Sequence, residues 1–421
     1  MLFKFAALVF SFLLLTVVSD AALQNVFLLW RHGDRAPYAS SPETKDLWVD
    51  GFGQLTLEGV QQHFELGKYL RAEYKDFIPK DYNFKYYHVR SSDYDRTLMS
   101  AQANAAGFFS DTKTSLTIPW RPIPIHTVNK SHENLFFSYD CKRLKELLEA
   151  GHKTKESKEF LKKHEHIIDY LAKHLGHKPS PYQIAQLTDQ LVCSKWHKFP
   201  FPKWIDDATY KELLEITEYF WSVNFTGDEK LLFEGGIFAY TLKKHITELI
   251  LNGTSTISID GSPRGLDKHH IMAYSGHDTT VAAVMSLFGV PVAMPGYASV
   301  IQIELYGPEF PNKEENYHVI VKYKSSFQQE KALAVKLPYC DDVKCPLKKF
   351  FDNLQKYAID EKSYLAKCVG KPDPIEPTHS IGLYIAIAVC MVCIVIPAIL
   401  AIAVNIYNKR DRRQYIEVRG D

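Results

Sequence analysis

Apolar positions along this chain fall into short runs that stop abruptly in charge. Val26-Phe27-Leu28-Leu29-Trp30 is continuously apolar, which suits a strand buried on both faces. It ends in Arg31-His32-Gly33-Asp34-Arg35-Ala36-Pro37. Thr56 then caps a predicted helix with Leu57, Val60, Phe64 and Tyr69-Leu70 on one side. Tyr86-Tyr87-His88-Val89 predicts a second strand, ending in charge at Arg90. Asp93 opens a helix through Phe109, with Leu98, Ala101, Ala105 and Phe108 at helical spacing. Ile271-Met272-Ala273-Tyr274 predicts a third strand, followed by Ser275-Gly276-His277-Asp278 and a helix from Val281 to Phe288.

Repetition of strand, charged loop and helix predicts an α/β fold, a mostly parallel sheet flanked by helices. Ligands bind beyond the carboxyl ends of such strands. Arg31, His32, Arg35, Arg90, His277 and Asp278 are therefore expected at one edge. Between the parts, Leu144-Leu147-Leu148, Phe160 to Leu175 and Tyr210 to Trp221 read as amphipathic helices. Residues 131–234 are accordingly expected as an inserted α-helical cap between two parts of the α/β domain, 20–130 and 235–370. The Lys/His-rich stretch Lys162, Lys163, His164, His166, Lys173, His174 and His177 reads as a solvated helix face.

Two long apolar runs follow different rules. Met1 to Ser19 carries one charge, Lys4, then an apolar core and small residues, the layout of a secretory signal. Ile381 to Val404 has no charge and is long enough to span a bilayer as a C-terminal transmembrane helix. Residues 371–380 form its linker, and the basic tail 405–421 marks the cytoplasmic side. The expectation is a single-pass type I membrane protein whose body faces the lumen or the exterior. Three sequons, at Asn129, Asn224 and Asn252, lie on that side and are candidate glycosylation sites. So do five cysteines, an odd number suggesting two disulfides and one leftover thiol. No Cys-x-x-Cys pair stands outside the apolar span, so no metal site is indicated. In the tail, Tyr415-Ile416-Glu417-Val418 fits the Tyr-x-x-Φ sorting pattern read by clathrin adaptors, which would deliver the chain to lysosomes or endosomes; without it the plasma membrane is the alternative.

Composition removes other classes. A net charge of +1 gives no footprint for nucleic acid, and 46% hydrophobic with 24% charged residues is globular. No Gly-x-x-x-x-Gly-Lys loop indicates nucleotide binding of that type. What remains is three arginines and two histidines around one point. Guanidinium forks match phosphate oxygens and stay charged at any useful pH. They also disfavour imidazolium, leaving His32 a free ring nitrogen for attack on phosphorus. Asp278 is the candidate proton donor to the leaving alcohol, and His277 a hydrogen-bond donor to phosphate.

RHGDRAP resembles the signature of the histidine acid phosphatases, a branch of the histidine phosphatase superfamily, and the likeness covers nearly the whole luminal body. Arg90-Ser91-Ser92-Asp93-Tyr94-Asp95-Arg96-Thr97 is similar to the family's second phosphate-binding segment, and Tyr274 to Thr280 and Pro295 to Ser299 match further segments. The plan is closest to the lysosomal and prostatic acid phosphatase group. The resemblance implies hydrolysis of small phosphate monoesters through phosphohistidine on His32, with phosphate bound by Arg31, Arg35, Arg90 and His277 and a proton from Asp278. It also implies no cofactor, no metal and frequently a homodimer. By the same resemblance Cys141 pairs with Cys368 and Cys340 with Cys345. Cys193 is left without a partner, because Val300 stands where the family carries the other cysteine. A phytase-like or lipid-phosphate phosphatase of the same fold is the near alternative, and a catalytically silent membrane receptor the distant one.

Overall fold

A computed structural model describes residues 21–111, 120–136, 140–255, 268 and 270–369. The expected leader, the 381–404 run expected to span the membrane, its expected linker and the Tyr415/Val418 tail lie outside the described residues. Among the described residues no helix is long and apolar enough to cross a membrane.

The order is β1 (Ala22–Arg31), α1 (Leu57–Glu73), β2 (Tyr87–Ser91), α2 (Asp95–Phe108) and β3 (Ile125–His126). Five helices follow: α3 (Lys142–His152), α4 (Lys155–Lys163), α5 (Glu165–Leu175), α6 (Pro181–Trp196) and α7 (Asp207–Asn224). Then come α8 (Asp228–Asn252), β4 (Ile271–Gly276), α9 (Asp278–Leu287), β5 (Val300–Gly307), β6 (His318–Lys324) and β7 (Leu333–Val335). β8 (Cys345–Pro346), α10 (Leu347–Leu354) and α11 (Glu361–Cys368) complete the body.

The sheet runs β3-β2-β4-β1-β5-β6-β7, with β8 beside β6. It is mixed rather than mostly parallel. β3, β2, β4 and β1 pair in parallel, but β1–β5, β5–β6, β6–β7 and β6–β8 are antiparallel. The cause lies in the connections: parallel neighbours need a crossover, whereas no α-helix separates β5, β6 and β7. The parallel half carries the charged loops.

β1 shows why a continuous apolar run was needed. Val26, Leu28 and Trp30 pack with Leu66, Leu70, Ala101 and Phe108 of α1 and α2. Phe27 and Leu29 pack on the opposite face with Phe238, Leu242, Val281 and Phe350. A separate core forms within α5, α6 and α7, from Ile168, Leu171, Ile184, Leu191, Leu213 and Phe220. The expected boundary at 234/235 falls inside α8, where Leu231 and Phe238 belong to the same core. The Lys/His-rich stretch is exposed except for His164, which is buried with Glu215 at 3.5 Å.

Disulfides join Cys141 to Cys368 and Cys340 to Cys345, and Cys193 is a buried free thiol. Asn129 and Asn252 are exposed; Asn224 is half-buried, with its Oδ1 hydrogen-bonded by His152 Nε2 at 2.9 Å.

α1 and α2 touch so closely that a Cβ on Gly67 would collide with the carbonyl oxygen of Asn104 and the amide of Phe108. Backbone cannot step aside as a flexible side chain can. Gly67→Ala should therefore destabilise the protein by ~1–3 kcal/mol, read as a lowered urea midpoint. An unchanged midpoint would show that the helix pair can separate at no cost.

Candidate active site

Three strands deliver their charged loops to one level. Arg31 of β1 is level with Gly276 of β4, and Ser91 of β2 with Ser275. His32 N donates to the Gly276 carbonyl at 3.1 Å and Ser92 N to that of Ser275 at 3.1 Å, so the loops leave the sheet side by side. The first loop is pinned from below. Gly33 N donates to Ser100 Oγ at 3.1 Å, and Asp34 N to Gln62 Oε1 at 2.8 Å. A Cβ on Gly33 would strike the backbone of Gly59, so the loop can seat against α1 only with glycine there.

His32 is 2% exposed. Its Nδ1 lies 2.8 Å from the Gly33 carbonyl, which can only accept, so Nδ1 carries the proton and Nε2 keeps the lone pair. Burial, then the charges of Arg96, Arg31 and Arg35, hold its pKa well below the usual imidazole value. The ring therefore stays neutral in acid. His277 sits with its ring centroid 5.7 Å from that of His32. Burial and Arg96 depress it to about 3. Its Nδ1 accepts from Arg96 Nη2 at 3.4 Å, which leaves Nε2 to donate to Ser92 Oγ at 2.9 Å.

Each guanidinium here has a partner. Arg31 pairs with Asp278 Oδ2 at 3.0 Å, donates to the Pro295 carbonyl and lies over the Tyr297 ring at 4.4 Å. Arg35 makes a two-pronged pair with Asp189 of α6, at 2.8 and 3.1 Å, and stacks on Tyr38. Arg96, in the first turn of α2, donates to Tyr38 Oη at 2.8 Å and lies over Tyr94. Asp278 opens α9. Burial pushes its pKa up, but Arg31 and Arg35 outweigh that and leave it below the usual carboxylate value.

His32, Arg35, Arg96, His277 and Asp278 line one cleft of about 750 Å³, together with Tyr38, Tyr94 and residues of α6. Arg31 borders it through its pair with Asp278. Arg90 stands apart. Its Nη2 bonds both oxygens of Glu133, at 3.0 and 2.8 Å, and Glu133 is fully buried. That carboxylate also accepts from the amide of Leu135, so the pair ties β2 to the chain entering the helical segment. Sequence reasoning quoted Arg96 only within the segment from Arg90 to Thr97, giving it no role of its own, and passed over Asp189 and Tyr38. A signal existed for Arg96: a cation in the opening turn of a helix opposes the helix dipole and needs another reason to be there.

α6 grips the signature loop twice, because His197 just past its end donates from Nε2 to Asp34 Oδ2 at 2.7 Å. Asp34, Glu58 and His197 hold ligand-type atoms within 4.8 Å of one another. With the His197 nitrogen already engaged by Asp34, the arrangement is that of an ion pair.

Comparison with known proteins identifies the family. A sequence profile of the histidine phosphatase superfamily (branch 2) matches residues 22–323. Prostatic acid phosphatase of Bos taurus is 33% identical over 341 residues, 78% of this chain and 84% of its own. Lysosomal acid phosphatase of Homo sapiens is 30% identical over 383 residues, 88% and 84% respectively. Phytases of Citrobacter braakii and Hafnia alvei share the fold, with TM-scores of 0.58 and 0.59 at 16% and 17% identity; they cover 83% and 81% of this chain and 100% and 98% of their own. The chain belongs to branch 2 of the histidine phosphatase superfamily. It is a phosphatase, a hydrolase of phosphoric monoesters.

The hydrogen bond that His197 donates to Asp34 raises the pKa of His197 despite partial burial. A group whose folded pKa is raised stabilises fully below its unfolded value, near 6.5, and loses that contribution as pH rises through the folded value. His197→Phe, which keeps ring packing against Trp48, should lower the melting temperature more at pH 5.5 than at pH 8.5. An equal drop at both would mean that the pair carries no charge.

Proposed function

We propose that this chain is an acid phosphatase working through a phosphohistidine on His32, with phosphate held by Arg31, Arg35, Arg96 and His277. The observation that carries the reading is the His32 ring. Its Nδ1 proton is fixed on the Gly33 carbonyl, so the Nε2 lone pair is available among guanidinium groups. Nε2 forms a bond to phosphorus as the ester oxygen departs with a proton from Asp278. Water then attacks phosphorus and gives its proton to Asp278, the phosphorus–nitrogen bond breaks, and inorganic phosphate leaves.

Arg31 and Arg35 hold the Asp278 carboxyl below its usual value. Incoming phosphate offsets the arginine charges responsible, so its pKa rises on binding, and the monoanionic ester present in acid supplies the proton. Acidic operation follows from that requirement, since the second ionisation of a phosphate monoester lies near ~6. His277 reaches phosphate only after exchanging its bonds to Arg96 and Ser92. A single phosphate fits better than several. Beyond the arginines, His32 and His277, the described residues lining the cleft include Tyr38, Tyr94, Tyr182, Gln183, Gln186 and Gln190, with Asp189 and, as one further basic group, His177. This favours simple monoesters over a phytase-like polyphosphate.

Compartment follows the same line. An acid-working enzyme with a leader, two disulfides and lysosomal acid phosphatases among its relatives fits the lumen of lysosomes or endosomes. The 381–404 run would anchor it, and Tyr415 and Val418 would engage a clathrin adaptor. Glycans on Asn129, Asn224 and Asn252 and a homodimer complete the reading.

Rapid quenching with a ³²P-labelled ester should trap an acid-labile, base-stable phosphoenzyme, absent from His32→Ala together with nearly all turnover. Label retained in His32→Ala would remove His32 as nucleophile.

Arg90 and Arg96 separate by different losses. Removing one partner of a buried ion pair leaves an uncompensated charge, so Arg90→Met should cost ~3–5 kcal/mol of stability. Inhibition of the folded enzyme by inorganic phosphate should persist. Arg96→Met should weaken that inhibition at least tenfold with a smaller stability change. Reversal of these two patterns would return the phosphate to Arg90.

A further inference from the structure

A second cavity, of about 530 Å³, lies beside the cleft. The two share Tyr182, Ala185, Asp189 and Asp278 as common lining, and Arg31 borders the second as well. Its walls are two helix faces. Ala185, Thr188, Val192 and Trp196 recur along α6 at three- and four-residue intervals, and Tyr210, Leu214, Thr217, Trp221 and Asn224 do so along α7. The α7 stripe alone covers about 20 Å of helix, so the space is long rather than round. Met294 and Tyr297, from the loop before β5, line it too.

Its charge is unlike that of the phosphate cleft. Among the described residues Arg31 is the only lysine or arginine in the lining, and it is paired with Asp278; His152, also in the lining, is hydrogen-bonded to Asn224. Asp189 and Glu218 add carboxylates. An anionic leaving group would therefore be repelled, whereas hydrocarbon would exchange water for Val192, Trp196, Leu214, Trp221, Met294 and Tyr297.

Position gives this cavity its meaning. In an in-line displacement the departing oxygen lies opposite the attacking nitrogen, beside the proton donor. Asp278 lines both spaces, so an alcohol leaving beside it has two ways out: the polar cleft mouth or this apolar channel. We propose that the channel is a leaving-group subsite, and that the preferred substrates are phosphate monoesters of alcohols carrying an unbranched, uncharged alkyl chain. The inference rests on the phosphatase reading with Asp278 as proton donor. The chemistry is unchanged: the ester P–O bond breaks, the chain leaves as its alcohol, and phosphate passes through His32 to water.

The test is kcat/KM for ethyl, hexyl and decyl phosphate, each below its aggregation limit, using full-length protein in lipid nanodiscs. The decyl to ethyl ratio should be at least ten. A chain ending in a carboxylate should lose that gain. Leu214→Trp, which fills the channel from α7, should bring the ratio close to one, and Val192→Phe should do the same from α6. A ratio near one in the wild-type protein, with ethyl phosphate hydrolysed, would overturn the subsite and leave the phosphatase reading intact. A gain that survives in whichever filled variant folds would overturn it as well. Absence of hydrolysis and of phosphoenzyme with every ester would instead overturn the phosphatase reading itself.

Discussion

Arg31, Arg35 and Arg96 are each no more than 6% exposed, and three guanidinium groups at that depth repel one another and give up much of their hydration. Much of the surrounding structure compensates. Asp278, Asp189, the Pro295 carbonyl and the rings of Tyr297, Tyr38 and Tyr94 take the places that water would hold. None of these partners neutralises the cluster fully. Together with burial, the same unmet positive charge lowers the pKa of His32 and His277, and against burial it lowers that of Asp278, which leaves a cleft suited to an anion.

Compensation comes from both sides of the cleft, and this ties the helical segment to the chemistry. Asp189 of α6 occupies both terminal nitrogens of Arg35, and His197 holds Asp34, its sequence neighbour. α6 is thus a wall of the cleft and an electrostatic counterpart to the signature loop at once. Any anion entering the cleft at Arg35 would have to share that guanidinium with a carboxylate already seated there.

Much of this could be read in the sequence, unevenly. The parallel half was legible because strands buried on both faces leave uninterrupted apolar runs, and Arg31, His32, Arg35, His277 and Asp278 follow such runs directly. The antiparallel half was less so. Val300 to Leu305 alternates with Gln302 and Glu304, yet these too are buried, Glu304 by bonds from Tyr74 and Lys322. α6 was missed because its faces carry glutamines and threonine rather than a clean apolar stripe. Arg90 and Arg96 were separated only by geometry: both stand near the end of β2, but one turn of helix swings Arg96 into the cleft while Glu133 holds Arg90 outside it. Glu133 lies 43 residues away in sequence, a pairing no local pattern reveals.

The Cys141–Cys368 bridge spans 227 residues of sequence. That closed ring contains α6, His277 and Asp278, while His32 and its loop lie outside it. In any compartment that contains proteases, exposed connections between α3 and α7 are natural sites of cleavage. A chain nicked anywhere inside the ring remains one covalent molecule until the bridge is reduced. Asp278 and the α6 wall of the cleft then stay attached to the same body as one another, and durability against digestion becomes a property of topology rather than of resistance at any single peptide bond.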